Sequence, residues 1–182
     1  MKKFIVLLLS ICLLIPTVAC SVRPQEFVYK DLALTLDSSF RVLEETEKSA
    51  SYASRKTMQT VTASFEGKES LSKKGYDPDM TLKEYGELCL LDILEEQAES
   101  ENKKDTDPIE VPKTAVKEKD GIVYFIYTRD ANDTPYTCLA TLHVTEEAFW
   151  TVTFAAPEAS YDAVEDDLFD MADEISFVKI KA

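Results

Sequence analysis

Histidine and glycine are scarce in this sequence, and their scarcity limits the chemistry that the chain can perform. Of the 182 residues, one is histidine (His143) and four are glycine. A zinc site needs several ligands of the histidine and cysteine type, and a serine or cysteine nucleophile needs a base beside it. No Gly-x-Ser-x-Gly elbow and no glycine-rich phosphate loop is present. We therefore expect no enzyme, no metal and no cofactor, and we interpret His143 as a partly exposed strand residue.

The N-terminal segment has the parts of a secretory signal. Two lysines precede an apolar run, Phe4–Val18, which is shorter than the roughly 20 residues of a membrane-spanning helix and contains Pro16. The run ends at Thr17-Val18-Ala19-Cys20, which resembles a bacterial lipobox except that Thr17 stands where leucine is commonest. We expect a signal peptide over residues 1–19 and a lipid-modified (palmitate-type) Cys20. A tether would cover residues 20–30, and one domain residues 31–182.

This lipid would hold the mature protein on the extracytoplasmic face of the cell membrane. Acidic residues outnumber basic ones by 34 to 20, and removal of Lys2 and Lys3 with the signal would change the formal net charge from −14 to −16. A charge of this sign repels nucleic acid and anionic lipid. We expect a protein partner with a basic surface, and no nucleic acid.

Two cysteines remain for the mature domain, Cys89 in a predicted helix and Cys138 in a predicted strand. Export permits a disulfide between them. Two separate buried thiols are the other interpretation, since free cysteine is often a small core residue.

The pattern of apolar residues predicts an α+β domain. Alternation at Leu32, Leu34 and Leu36, followed by a turn and Phe40, predicts a hairpin, and Gln59–Glu66 predicts a further strand. The segment from Gly67 to Pro78 is predicted to be a loop. Later elements are a helix from Thr81 to about Ala98, a short strand Lys113–Lys119, a three-stranded meander (Ile122–Arg129, Tyr136–Val144, Ala148–Ala155), and an amphipathic helix from Pro157.

This order of elements resembles the PsbP/Mog-type α/β/α sandwich. The phrases that carry the resemblance are Thr81-Leu82-Lys83-Glu84-Tyr85, Phe149-Trp150-Thr151-Val152-Thr153-Phe154 and Ile175-Ser176-Phe177. The family includes photosystem accessory proteins, a binding partner of a nuclear-transport GTPase and small bacterial lipoproteins. The resemblance implies an antiparallel sheet with helices on its faces and a binding or assembly module without catalysis. It implies no functional residues, because the shared phrases are core and caps.

Aromatic residues of the meander are the candidate binding patch. Neighbouring strand residues face opposite sides of a sheet, so part of this set can lie in an exposed groove, and we select Tyr124, Tyr136 and Phe149. The acidic residues of the last helix are interpreted as a solvated face, and Asp130–Thr134 as a turn without the later ligands of a calcium loop. The expected function is noncatalytic binding or assembly. The alternative is a receptor for a small molecule or a divalent cation.

Overall fold

A computed structural model of the protein describes residues 23–100, 110–112, 114–131 and 133–178. The predicted signal peptide and Cys20 lie outside this range. Among the described residues, no helix is both long and apolar enough to cross a bilayer. The described elements, in chain order, are β1 (Pro24–Tyr29), β2 (Leu32–Asp37), β3 (Phe40–Glu45), β4 (Ser49–Ser54), β5 (Thr60–Gly67), α1 (Lys68–Lys73), α2 (Leu82–Ser100), β6 (Lys117–Lys119), β7 (Ile122–Ala131), β8 (Thr134–Val144), β9 (Ala148–Pro157), α3 (Glu158–Asp173) and β10 (Ser176–Phe177).

The described strands form two antiparallel sheets. The large sheet has seven strands in the order β3-β4-β5-β9-β8-β7-β6, and the small sheet has three in the order β1-β2-β10. The predicted meander is confirmed as β7-β8-β9, in which Leu139 lies opposite both Ile126 and Phe154. The two halves of the large sheet meet where β5 pairs with β9, with Phe65 opposite Trp150.

Two predictions for the N-terminal part are wrong. The segment predicted as a tether up to Lys30 contains β1, whose Phe27 and Tyr29 are buried in the core. The predicted hairpin of Leu32–Leu36 with Phe40–Leu43 does not form, because β2 pairs with β1 and β10 while β3 pairs with β4. The Asp37-Ser38-Ser39 turn therefore passes the chain from one sheet to the other.

Helix α2 begins at the predicted capping box. The Glu84 N–H donates to Thr81 Oγ1 at 3.3 Å, and the Thr81 N–H donates to Glu84 Oε2 at 2.7 Å, so two backbone donors of the first turn are satisfied. The Thr81 hydroxyl also donates to Glu84 Oε2, at 2.8 Å, and this bond together with the one from the Thr81 N–H lowers the pKa of Glu84. One turn later, Gly86 lets the helix approach β8, since a Cβ there would lie 2.5 Å from Leu142 Cδ1.

The large sheet has a core on each of its faces. On one face, α1 and α2 cover residues of β7, β8 and β9, with Tyr85 stacked on Phe149 at a ring-centroid distance of 4.6 Å. On the other face, α3 and the small sheet bury the aromatic residues of β4, β5 and β9. Helix α1 is a short element within the predicted loop, and its Leu71 is fully buried. The predicted exposed acidic face of α3 is confirmed for Asp162, Asp166 and their neighbours along the helix.

The outer strand of the large sheet at β3 carries a β-bulge and charged residues. The register with β4 shifts between Val42 and Glu44, and Arg41, Glu44 and Glu45 are exposed. Bulges and charges on an edge strand oppose pairing with another chain. We therefore do not regard this edge as a site of strand addition.

Candidate functional site

A groove of about 860 Å³ lies between the small sheet and one end of the large sheet. We call it the β10 groove, because β10 and the residue after it form one wall. The opposite wall is the turn that joins β8 to β9. Its lining residues are Lys30, Asp31, Phe65, Gly67, Val144, Thr145, Glu146, Glu147, Ala148, Trp150, Phe177 and Val178.

The floor of the β10 groove is aromatic. Trp150 is 1% exposed and packs between Phe65, at a centroid distance of 5.0 Å, and Phe177, at 5.8 Å. Phe65 and Phe177 themselves are only half-buried. Trp150 is thus the fixed base of the groove, and the two phenylalanines are its accessible apolar surface.

Two valines extend this apolar surface to the mouth of the groove. Val144, at the end of β8, is 46% exposed, and Val178, directly after β10, is 47% exposed. They belong to a small group of large apolar side chains that remain exposed among the described residues. Because exposed apolar residues grouped at a concave site are typical of binding surfaces, this groove is the candidate site.

The charged rim is mainly acidic. In the described part of the chain, Asp31, Glu146 and Glu147 line the groove together with one cation, Lys30. The Lys30 ammonium lies 4.1 Å from the centroid of the Phe65 ring, a cation–π arrangement. Lys30 also has a positive φ of 52° in the turn between β1 and β2. Residues other than glycine adopt this backbone conformation only at a cost of about 1 kcal/mol.

Hydrogen bonds of the backbone and of the Thr145 hydroxyl hold both walls in place. In the β8–β9 turn, Thr145 N–H donates to the Ala148 carbonyl at 2.8 Å, and Ala148 N–H donates to Thr145 Oγ1 at 3.1 Å. The Glu147 carbonyl accepts from Lys68 N–H at 2.9 Å, and across the groove the Asp31 carbonyl accepts from Val178 N–H at 2.6 Å. The groove is therefore preformed rather than built from loose loops.

His143 lies behind the groove, on the sheet face that packs against the small sheet. Its ring is 5.9 Å from that of Phe177, and its Nε2 is 3.1 Å from Thr141 Oγ1. Burial lowers the pKa of His143 to about 4, so the ring is neutral at pH 7. The prediction of a partly exposed strand histidine is confirmed, and its place is structural support for Phe177.

The three residues of the predicted patch do not come together. Phe149 is 1% exposed under α2, whereas Tyr124 packs against Phe169 of α3 on the opposite sheet face. Tyr136 lies opposite Arg129, toward the other end of β8 from the groove. A patch of Tyr124, Tyr136 and Phe149 is therefore not present, because strand alternation sends Tyr124 and Phe149 into different cores.

The two remaining thiols are separate. Cys89 approaches Thr151, whose partner on β8 is Leu142, while Cys138 lies four residues from Leu142, about 13 Å along the strand. A disulfide requires Cα atoms closer than about 7 Å, so the structure favours two free thiols. Burial raises the pKa of both. Within the described ranges, no group of three or more potential ligands is placed to hold a metal ion.

Comparison with solved structures identifies the fold. The Ran-binding protein Mog1p of Saccharomyces cerevisiae matches with a TM-score of 0.54 at 12% identity, over 87% of this chain and 97% of the yeast protein. Cyanobacterial PsbP (CyanoP) of Synechocystis matches with a TM-score of 0.50 at 9% identity, over 86% of this chain and 93% of that protein. The chain has the PsbP/Mog-like α+β fold.

The predicted fold class is thus confirmed, and at these identities the likeness concerns the PsbP/Mog-like fold alone. A structure from Bacteroides thetaiotaomicron also matches, with a TM-score of 0.49 at 12% identity, over 85% of this chain and 48% of that one. The chain therefore spans about half the length of the Bacteroides protein. No protein-family model and no curated protein matches the sequence.

Sequence reasoning missed the β10 groove. Phe65, Val144 and Phe177 are spread along the chain, and Lys30 is the last residue of the segment predicted to be a tether. The signal in the sequence was the turn Thr145-Glu146-Glu147, which places two glutamates directly after an apolar residue at a strand end.

Proposed function

We propose that this protein is a noncatalytic binding or assembly module, tethered to the extracytoplasmic face of the cell membrane through Cys20, that uses the β10 groove as its binding surface. The observation that carries the proposal is the preformed groove with accessible apolar side chains at Phe65, Val144, Phe177 and Val178. The lipobox-like tetrad at residues 17–20 supports the tether. The sole histidine is engaged with Thr141 and is absent from the groove lining, which supports binding rather than catalysis.

Photo-crosslinking in cells tests the use of the groove. A photoreactive phenylalanine analogue replaces Val144 in one variant and Val42, which is 54% exposed on β3, in the control. We expect a discrete crosslinked product from position 144 that position 42 does not give. Equal patterns from the two positions, or no product from position 144, would contradict the proposal.

Metabolic labelling with palmitate tests the tether separately. The label should appear on the wild-type chain in the membrane fraction and be lost in Cys20→Ala. A wild-type chain that remains unlabelled in a bacterium that processes lipoproteins would show that the tether is wrong. The crosslinking result would still report on the groove.

A small-molecule receptor is the second candidate function. The groove volume of about 860 Å³ lies in the range of roughly 300–1,000 Å³ found for ligand sites. A solute at 100 times its dissociation constant stabilises its receptor by roughly 2.7 kcal/mol. A thermal-shift screen with neutral and cationic solutes would detect it, and a flat screen would remove this candidate.

A further inference from the structure

We infer that the β10 groove binds an extended segment of a partner protein in which lysine or arginine alternates with an aliphatic residue. The inference rests on the proposed function, because it names the partner chemistry of the same surface. Three independent features of the groove point to this occupant: its rim charge, the cation already lying on its floor, and the outer edge of β10, which pairs with no other strand among the described residues.

The rim favours a basic occupant. Among the residues that the structure describes, three carboxylates, those of Asp31, Glu146 and Glu147, line the groove with one ammonium, and both glutamates are exposed. The whole chain has a formal charge of −14, so the surrounding field has the same sign. Charge complementarity of this kind selects partners and accelerates encounter.

The floor already accommodates an ammonium group. Lys30 places its Nζ over Phe65 at 4.1 Å, and it does so from a backbone position of positive φ. This side chain shows that a cation fits the aromatic floor beside the carboxylates. We infer that a lysine or arginine of the partner takes this position and that Lys30, which is exposed, moves out into solvent.

The wall formed by β10 offers backbone hydrogen bonds. β10 is an edge strand, paired on one side with β2. Its flanking residue Val178 donates to Asp31, so by antiparallel alternation the N–H and C=O of Phe177 point away from β2. An extended segment beside β10 can pair with these groups while its aliphatic side chain contacts Val144 and Val178, which is strand addition to a sheet edge.

Fluorescence anisotropy with the full chain in detergent tests the inference. The probe is a labelled peptide of alternating lysine and isoleucine, and its matched control alternates glutamate and isoleucine. We expect saturable binding of the lysine peptide that weakens with added salt, and no binding of the glutamate peptide. Equal binding of the two peptides would overturn the inference.

Charge-reversal variants test whether the peptide binds at the rim of the β10 groove. Reversal of both rim charges, Glu146→Lys with Glu147→Lys, should weaken binding roughly tenfold or more. The matched control, Asp162→Lys with Asp167→Lys, reverses two exposed charges on α3 and should change binding less than twofold. Equal losses in the two double variants would mean that the peptide senses net charge only, and the inference would fail.

The variant Lys30→Gly tests whether the occupant of the groove is cationic or anionic. Glycine suits the positive φ, so the variant keeps the turn, and it uncovers the Phe65 ring. We expect it to bind the lysine peptide several-fold more tightly. Weaker binding would mean that Lys30 itself holds the ligand, and would overturn the inference.

Two further outcomes would assign the groove to another occupant. The residues after Val178 read Lys-Ile-Lys-Ala; much tighter peptide binding after their deletion would assign the groove to the chain's own terminal segment. A dimer detected by ultracentrifugation and abolished by the rim reversal would assign it to a second copy.

If the peptide fails to bind while position 144 still gives its crosslinked product, the inference fails and the proposed function stands.

Discussion

The neutral His143 makes the stability of this protein sensitive to acid in a predictable pH window. Burial lowers its pKa from 6.5 to about 4 in the folded state. Between these values the unfolded chain binds a proton that the folded chain excludes, so unfolding is favoured as the pH falls. The contribution of this residue is complete above pH 6.5 and is lost progressively down to about pH 4.

The magnitude follows from the size of the shift. One pKa unit corresponds to about 1.36 kcal/mol, so a shift of about 2.5 units gives an upper limit of about 3 kcal/mol for the half-buried ring. This is a large fraction of the 5–15 kcal/mol stability that is typical of a domain. The ring packs against Phe177, so the charged form would disturb the wall of the β10 groove as well.

Urea denaturation at a series of pH values measures the effect, and the fluorescence of Trp150, the only tryptophan, reports unfolding. The comparison is wild type against His143→Gln, which keeps a polar side chain but does not titrate. The carboxylates contribute equally to both proteins and cancel in the difference. We expect the stability difference between them to change by about 2–3 kcal/mol between pH 7 and pH 4. A difference that stays constant over this range would refute the reasoning.

Three further predictions concern the fold. Thr81→Ala should destabilise the domain by about 1 kcal/mol in the same urea assay, since it removes the side-chain cap of α2, whereas Thr81→Ser should retain most of the stability. Gly86→Ala should lower the unfolding free energy by about 1–2 kcal/mol, because the clash with Leu142 exceeds the gain in helix propensity; a stabilised variant would show that the contact relaxes freely. Reducing agent should leave the melting temperature unchanged, since Cys89 and Cys138 are too far apart to pair, and a fall in melting temperature would contradict this.

Much of the architecture was predictable because it rests on local interactions. The capping box at Thr81 and Glu84 is formed by residues three apart, and its hydrogen bonds are those that the sequence predicts. The turn before β7 adopts positive φ values of 52° at Asp120 and 86° at Gly121, which only a few residue types accept readily. The meander then follows from alternation and short turns.

The binding surface was not predictable in the same way. Tyr124 and Phe149 are aromatic residues of the kind found in binding patches. The register of β7, β8 and β9 places them in separate cores. Conversely, Val144 looks like any apolar strand residue, and it is exposed only because β8 ends beside a groove. Side-chain exposure at a strand end depends on what packs over it, and neighbouring residues in the chain do not fix that.

The sequence by itself determined the helices α2 and α3, the tight turns and the meander, because each depends on contacts between residues close in the chain. Only the tertiary structure decided that β1 joins the domain, that β2 and β3 lie in different sheets, and that β10 returns from the far end of the chain to pair with β2. Each of these features is a pairing between segments that are distant in the chain. Alternative pairings would make similar backbone hydrogen bonds, so the burial of residues such as Phe27, Tyr29 and Trp150 selects the observed one. The β10 groove lies at the junction of those pairings, so it exists only in the folded chain.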